Sequence, residues 1–340
     1  RGLIVIDWVT AVLPCKHDPS KLISGMVMSF DASGKEEWTV NKKLSVEGSF
    51  SSKIQIKSHT DNQIWISGNP TKFLQGHNIF GSNDLRSLMG KFFDELLTDK
   101  HQSLGLCPDP FQYAAIKDGH YSLSRVDVNE SWHLDNSRDV LAWIRAVGST
   151  AYMKHRGAGQ FSGDTAYFGK NSRRWSLKCY SKGNEISARG HTLPKELQIP
   201  ELIEYANKSL RIEAVVRQLE LKRQSLDIAS NWDVDTATML LKGYLDNLEM
   251  SDVYMLKDDV LDTLPMRLRM VYQSWLNGDD LKQIMTKPTF YRVRKQLEKY
   301  GIDIATASPK EKTNVIPLVR YLQAEPVGIP VWAYEKRLVA

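Results

Sequence analysis

Apolar residues crowd positions 2–10, alternate with polar ones through 53–57 and return over 63–67, with Asn, Asp, Gly and Ser clusters between them. That rhythm, bounded by turn residues, predicts strands. From Ser82 the period lengthens. Leu85, Leu88, Met89, Phe92 and Leu96 recur every three or four residues, which predicts an amphipathic helix behind a Ser82/Asn83 cap. Residues 121–129 return to strand, and 136–147 read as a helix with Leu141, Ile144 and Val147 inward and Gly148 at its end. A Gly-rich polar stretch at 158–163 precedes strands at 165–169, 174–182 and 209–218. Helical spacing then takes over at 233–248, 265–276, 279–285 and 288–300.

This order predicts an α+β chain. A mainly antiparallel sheet with flanking helices fills residues 1–225, and a mostly α-helical domain follows over 226–340. The Pro-punctuated tail at 317–332 is expected to pack across a domain rather than form one. No period of 20–50 residues marks a solenoid.

Composition narrows the class without naming a function. The 340 residues are 42% hydrophobic and 25% charged, an ordinary globular balance that argues against a collagen-like, disulfide-dense or wholly disordered chain. Apolar runs stay far below the roughly 18 residues needed to cross a bilayer, so no membrane contact is expected. Three scattered cysteines, Cys15, Cys107 and Cys179, form no C-x-x-C pair, which predicts reduced thiols and a cytoplasmic location. No charged segment followed by an apolar one opens the sequence, so no secretory signal is read.

Charge distribution says more than the net charge of +5. Residues 153–182 hold seven Lys or Arg against Asp164 alone, and residues 281–300 hold six against Glu298 alone. One such run is usually a solvated face. Two, each beside a motif, suggest a polyanion whose counterions are released on binding.

Alternation in the middle strands places polar groups on one face. Arg125 and Asp127 project together, opposite Val126 and Val128; Arg211 and Glu213 project together, opposite Leu210, Ile212, Ala214 and Val216. Between them, Lys178, Tyr180 and Lys182 oppose Trp175, Leu177 and Cys179. Carboxylates are hard ligands suited to Mg²⁺ or Mn²⁺, and a neighbouring tyrosine can attack phosphorus. A half-exposed strand with cross-strand ion pairs produces the same pattern. Trp132, Trp143 and Trp175 are expected in the core, although aromatic rings also stack on unpaired bases.

At these residues the sequence resembles the gene II replication initiators of filamentous phages, within the wider phage gene II/X replication family. The likeness runs in order through LQGHNIFG at 74–81, SRVD at 124–127, YSK at 180–182 with Glu185 beyond, RIEA at 211–214 and NVIPLVR at 314–320. Tyr167-Phe168-Gly169 followed by RRWSLKCYSK at 173–182 is similar, more distantly, to plasmid rolling-circle initiators of the replication-trans type. Both resemblances imply nicking of one strand of a supercoiled origin, a covalent 5′-phosphotyrosine, and rejoining of the displaced strand into a circle. They imply Tyr180 as nucleophile with Lys182 beside it, and Asp127, Glu213 and Glu185 as Mg²⁺ or Mn²⁺ ligands. His77, inside the first motif, is either site support or a turn residue, and Arg125 and Arg211 are further support. No H-x-H occurs, so a two-histidine metal site is not expected.

Residues 279–300 read as a helix-turn-helix, with Pro288 at a first helical position. Phe290, Val293 and Leu297 face inward while Tyr291, Arg292, Arg294, Lys295 and Lys299 face out, the pattern of a recognition helix. Arg173, Arg174 and Lys178 are expected to add DNA contacts. No G-x-x-x-x-G-K-[ST] motif is present, so a host replicative helicase is expected to unwind and a host single-strand-binding protein to coat the product. Oligomeric state on the origin stays open. Two other readings remain: a DNA-binding regulator without catalysis, for which Tyr180→Phe would change nothing, and a partner-binding structural protein whose binding would barely depend on salt.

Overall fold

In a computed structural model the described residues are 4–249, 264–276, 279–300, 302–305 and 326–339. Thirteen strands are present among them. They are β1 (Val5–Pro14), β2 (Ile23–Phe30), β3 (Glu36–Glu47), β4 (Lys53–Thr60), β5 (Gln63–Gly68), β6 (Ser122–His133), β7 (Tyr152–Met153), β8 (Gly157–Ala158), β9 (Gln160–Ser162), β10 (Thr165–Phe168), β11 (Trp175–Ser181), β12 (Ser209–Arg217) and β13 (Leu248–Glu249). Ten form one sheet in the order β2-β3-β4-β5-β1-β6-β12-β11-β10-β9, and β13, β7 and β8 form a small second sheet. Every recorded pairing is antiparallel, so the α+β expectation holds.

The face packed against helices is apolar. Val9, Ala11, Leu13, Val126, Val128, Leu177, Cys179, Ile212 and Ala214 join residues of the helices Leu85–Leu96 and Ser137–Thr150 in one cluster. Burying such side chains stabilises by about 1.5–3 kcal/mol each, and alternation sends their neighbours to the other face. Trp132, Trp143 and Trp175 lie in this core. Cys15, Cys107 and Cys179 are free thiols.

Local departures from the sequence reading have physical causes. Asp84, not Ser82 or Asn83, caps the first long helix, its carboxylate accepting from the Ser87 N–H. The helix expected to stop at Gly148 runs on to Thr150. Gly148 instead serves close packing, since a Cβ there would stand 2.9 Å from the Ala166 Cβ. Strand β11 ends at Ser181, which caps a short helix, Lys182–Ser187. Lys182 therefore leaves the face shared by Lys178 and Tyr180. Strands β2 and β3 are not foreseen at all, because their residues are mostly exposed and carry no buried face to set an apolar rhythm.

The sheet's apolar cluster continues past residue 225, through Trp232, Ala237, Leu241 and Leu248. Beyond it, the helix Met266–Leu276, the short helix Leu281–Ile284 and the helix Lys287–Leu297 share a separate cluster containing Tyr272, Trp275, Phe290, Val293 and Leu297. Residues 326–339 return to the first unit. The Val327 N–H donates to the Ser131 carbonyl, and Ala333 and Leu338 pack with Phe80 and Tyr205. The NVIPLVR string lies outside the described residues. No described helix is long and apolar enough to cross a membrane.

Candidate functional site

Four neighbouring strands, β1, β6, β12 and β11, carry the polar face. Lys178 stands opposite Glu213, Tyr180 opposite Arg211, and Val215 opposite Asp127, so Asp127, Lys178, Tyr180, Arg211 and Glu213 share one face. The patch floors an open cleft of about 1290 Å³ lined by Asp7, Arg125, Asp127, Lys178, Tyr180, Glu185 and Glu213 among others.

The Tyr180 hydroxyl donates to Glu213 Oε2 at 2.9 Å, and Lys178 Nζ lies 2.7 Å from Glu213 Oε1. Burial, with the Glu213 charge added, holds the Tyr180 phenol well above its ordinary pKa of 10. Burial also pushes the Glu213 carboxyl up, reinforced by Asp7 and Asp127 and opposed by Lys178. This is a phenol with a proton acceptor already in place. Beside it, Arg125 donates to both Asp127 oxygens at 2.8 and 2.6 Å, and its guanidinium lies 5.2 Å from the centre of the Trp8 ring.

Asp7 adds a carboxylate that the sequence reading does not single out. Strand β1 pairs Ile6 with Val128 and Trp8 with Asp127, leaving Asp7 as an extra residue in a bulge. Buried positions accordingly change phase, from Ile4 and Ile6 to Val9, Ala11 and Leu13. The bulge turns Asp7 to the cleft, where Oδ1 accepts from the Asn69 and Asn78 amides at 2.5 and 2.7 Å. The available signal was one acid inside an otherwise apolar strand.

The LQGHNIFG string builds the wall behind these groups. Gly76 takes φ +81 to end the helix Pro70–Gln75, and the Gln75 amide donates to the carbonyls of His77 and Phe80. Fully buried Arg211 donates to the carbonyls of Asn78 and Ile79 at 2.6 and 2.8 Å and to Ser131 Oγ. Asn78 then bridges two charges, accepting from Lys182 Nζ at 2.7 Å while donating to Asp7. Lys182 is buried and also bonded to Glu185, whose other oxygen faces His191 Nδ1 at 3.3 Å. Burial lowers Lys182 to about 8, whereas Lys182 holds Glu185 down near 2 against its own burial; both ions persist at neutral pH.

The sequence-derived residues thus separate by position. Tyr180, Asp127 and Glu213 share the cleft floor with Arg125 and Lys178. Glu185 lines the cleft but is held by Lys182 and His191, and Lys182 reaches Asn78 rather than the phenol. His77 is buried behind the wall, its Nδ1 accepting from the Ile79 N–H, with burial pulling its pKa to about 4. Arg173 and Arg174 are exposed before β11, and Arg174 lies 3.7 Å from Glu220. On the helix Lys287–Leu297, Tyr291, Arg292 and Lys295 are exposed, while Arg294 is tied to Asp303 at 2.7 and 2.8 Å.

The chain matches two family models: the replication-associated protein G2P N-terminal domain over residues 5–235 and the G2P C-terminal domain over 258–339. It is 39% identical over 336 residues to the replication-associated protein G2P of Enterobacteria phage I2-2, covering 96% of this chain and 95% of that one. The G2P of Salmonella phage IKe is 23% identical over 314 residues, covering 76% and 72% of the two chains. A rolling circle replication initiator protein from Geobacillus stearothermophilus aligns with 75% of this chain and 89% of its own, at 12% identity. Its TM-score of 0.33 is too low to bear on fold or function. The chain therefore belongs to the family of phage replication-associated proteins G2P.

Proposed function

We propose that this member of the family initiates rolling-circle replication by nicking one strand of a supercoiled origin through Tyr180. The carrying observation is the 2.9 Å hydrogen bond from the Tyr180 hydroxyl to Glu213 Oε2 on the floor of an open cleft. In the proposed step Glu213 takes the phenol proton as the Tyr180 oxygen attacks phosphorus. The bond to the 3′ oxygen breaks, that oxygen takes a proton from water and leaves as a 3′-hydroxyl, and the phosphate stays on tyrosine as a 5′-phosphotyrosine. Rejoining reverses the step: a 3′-hydroxyl gives its proton to water as its oxygen attacks phosphorus, the bond to the Tyr180 oxygen breaks, and Glu213 returns its proton to the phenolate. Lys178 and Arg125 stabilise charge on the phosphate.

Mg²⁺ or Mn²⁺ belongs to the proposal as cofactor. The donors are of the right kind: Asp7, Asp127 and Glu213 are hard oxygen groups close enough for the two aspartates to raise the Glu213 pKa, a repulsion that a divalent cation relieves. Among the described residues no three His, Cys, Asp or Glu side chains form a ready-made metal cage, and Arg125 and Lys178 neutralise two of the acids. Asp7 and Asp127 would hold the ion, which supplies Lewis-acid polarisation of the phosphodiester. The Glu185 role assigned by resemblance is set aside for a structural one, given its bonds to Lys182 and His191.

Origin recognition falls, in this reading, to the helix Lys287–Leu297, which presents Tyr291, Arg292 and Lys295. Unwinding and coating of the product strand fall to a host helicase and a single-strand-binding protein. The test is incubation with a supercoiled replicon carrying the origin and Mg²⁺, nuclease digestion, and mass spectrometry of the peptides. A nucleotide adduct on Tyr180, lost in Tyr180→Phe and on chelation, is expected. An adduct on another tyrosine refutes the site, and origin binding without nicking favours a regulator.

A further inference from the structure

We propose that Phe50 is a stacking platform for an unpaired nucleobase next to the scissile phosphate, an inference that rests on the strand-nicking reading of the cleft. Phe50 lies in the short turn Ser49–Ser51 between β3 and β4 and lines the same cleft as Tyr180. Its side chain is 44% exposed although the ring is large and apolar. The backbone there is unusual: Phe50 takes φ +50 and ψ +42, and Ser51 follows at φ +59. Bulky residues seldom adopt this left-handed region, and the exposed ring does not repay it by filling a core.

What the conformation achieves is to lay the ring against the motif wall. A Cβ on Gly76 would fall 2.3 Å from Phe50 Cδ2 and 2.8 Å from Leu197 Cδ1, so the glycine of LQGHNIFG leaves the space that the ring occupies. One side of Phe50 is therefore backed by the wall while the rest opens on the cleft. The Trp and Tyr rings there are already covered: Arg125 lies over Trp8, Lys170 over Tyr167 and Lys178 over Tyr180. Among the described residues no cation or ring covers Phe50.

Neighbouring charge points to a nucleotide. Lys53, 3.9 Å from Glu47, and Lys72 line the same cleft, and lysines in a cleft with an open ring suit a phosphate and its base. The cleft volume of about 1290 Å³ exceeds the ~300–1,000 Å³ that takes a drug-sized ligand, so it accommodates more than the reacting phosphate alone. Every base has a π face, so the platform binds without reading sequence.

The test uses the full chain and single-stranded oligonucleotides spanning the nick, each with one abasic position. For the wild-type protein, one position near the nick is expected to lower affinity about 10-fold, within the range of a lost base–aromatic stack. Phe50→Leu should lose about as much on the intact strand and nothing further at that position, and Phe50→Trp should restore the wild-type pattern. Phe50→Gly, which accepts the positive φ, serves as a second variant should Leu disturb the turn. A 2-aminopurine at the sensitive position should be quenched by the wild type and not by Phe50→Leu or Phe50→Gly. Equal abasic penalties in wild type and variants overturn the platform while leaving nicking intact. Failure of the wild type both to bind and to cut the strand overturns the platform and the nicking reading together.

Discussion

The Tyr180 hydroxyl and Glu213 meet diagonally across β11 and β12: Tyr180 stands opposite Arg211 and Lys178 opposite Glu213, and the phenol leans along the sheet to donate at 2.9 Å. Lys178 holds the other carboxylate oxygen at 2.7 Å, which fixes the acceptor's orientation. A phenol held far above pH 7 by burial does not ionise unaided, so under the proposed mechanism the acceptor decides whether it can react.

Glu213→Gln keeps the shape and removes the proton acceptor. Nicking by the variant is expected to fall about 10²–10⁴-fold, the usual weight of a general base. Because the Glu213 pKa is raised, wild-type nicking should climb with pH above the ordinary carboxylate range as Glu213 loses its proton. The variant should lack that limb. Single-turnover rates from pH 5 to 9 settle it, and a limb that survives in Glu213→Gln assigns the base elsewhere.

The buried pair Lys182–Glu185 predicts acid sensitivity. Glu185 is lowered from 4.5 to about 2, so its contribution is complete above pH 4.5 and is lost as pH falls through 2. Burial pulls Lys182 the opposite way, lowering it from 10.5 to about 8, which offsets much of that contribution at neutral pH. Glu185→Gln should lower the urea midpoint at pH 7, because Lys182 is then buried without its partner. It should also flatten the loss between pH 4.5 and 2. An acid limb identical to wild type would show that other carboxylates carry it.

Legibility in the sequence followed burial. Strands β6, β11 and β12 have one apolar face, and alternation alone put Arg125 with Asp127 and Arg211 with Glu213. Asp7 stayed hidden because a bulge breaks the alternation that would reveal it, and Asn78 because its role depends on Asp7 and Lys182 from distant strands and helices. Lys182 followed Tyr180 at a strand-like interval, yet Ser181 begins a helix there. Resemblance singled out the LQGHNIFG string; only its folded contacts explain what each residue does.

Arg292, Lys295 and Arg294 sit on one helix but should behave differently. Arg292 and Lys295 are exposed, whereas Arg294 is bonded to Asp303 and lies 3.2 Å from Glu298. Arg292→Ala with Lys295→Ala should weaken duplex origin binding and reduce its salt slope by about two phosphate contacts. Cutting of a short single-stranded substrate should be little changed, since under the proposed mechanism Tyr180 needs no help from this helix on an already unpaired strand. Arg294→Ala should instead lower the melting temperature. Equal salt slopes in wild type and the double variant would remove this helix from the duplex contact.

Gly76→Ala tests the wall that joins the motif to the cleft. The residue sits at φ +81, where an L side chain is strained by about 1 kcal/mol, and its Cβ would meet the Phe50 ring at 2.3 Å and Leu197 at 2.8 Å. Overpacking of that kind adds about 1–3 kcal/mol, so a total loss of about 2–4 kcal/mol is expected by urea unfolding. The two contributions separate in the double variant Gly76→Ala with Phe50→Gly. Removing the ring relieves the closest clash and should recover part of the stability, but not the backbone strain or the Leu197 contact. Full additivity of the two changes would mean that the Phe50 ring does not rest on Gly76, and the motif's glycine would then owe its place to the helix end alone.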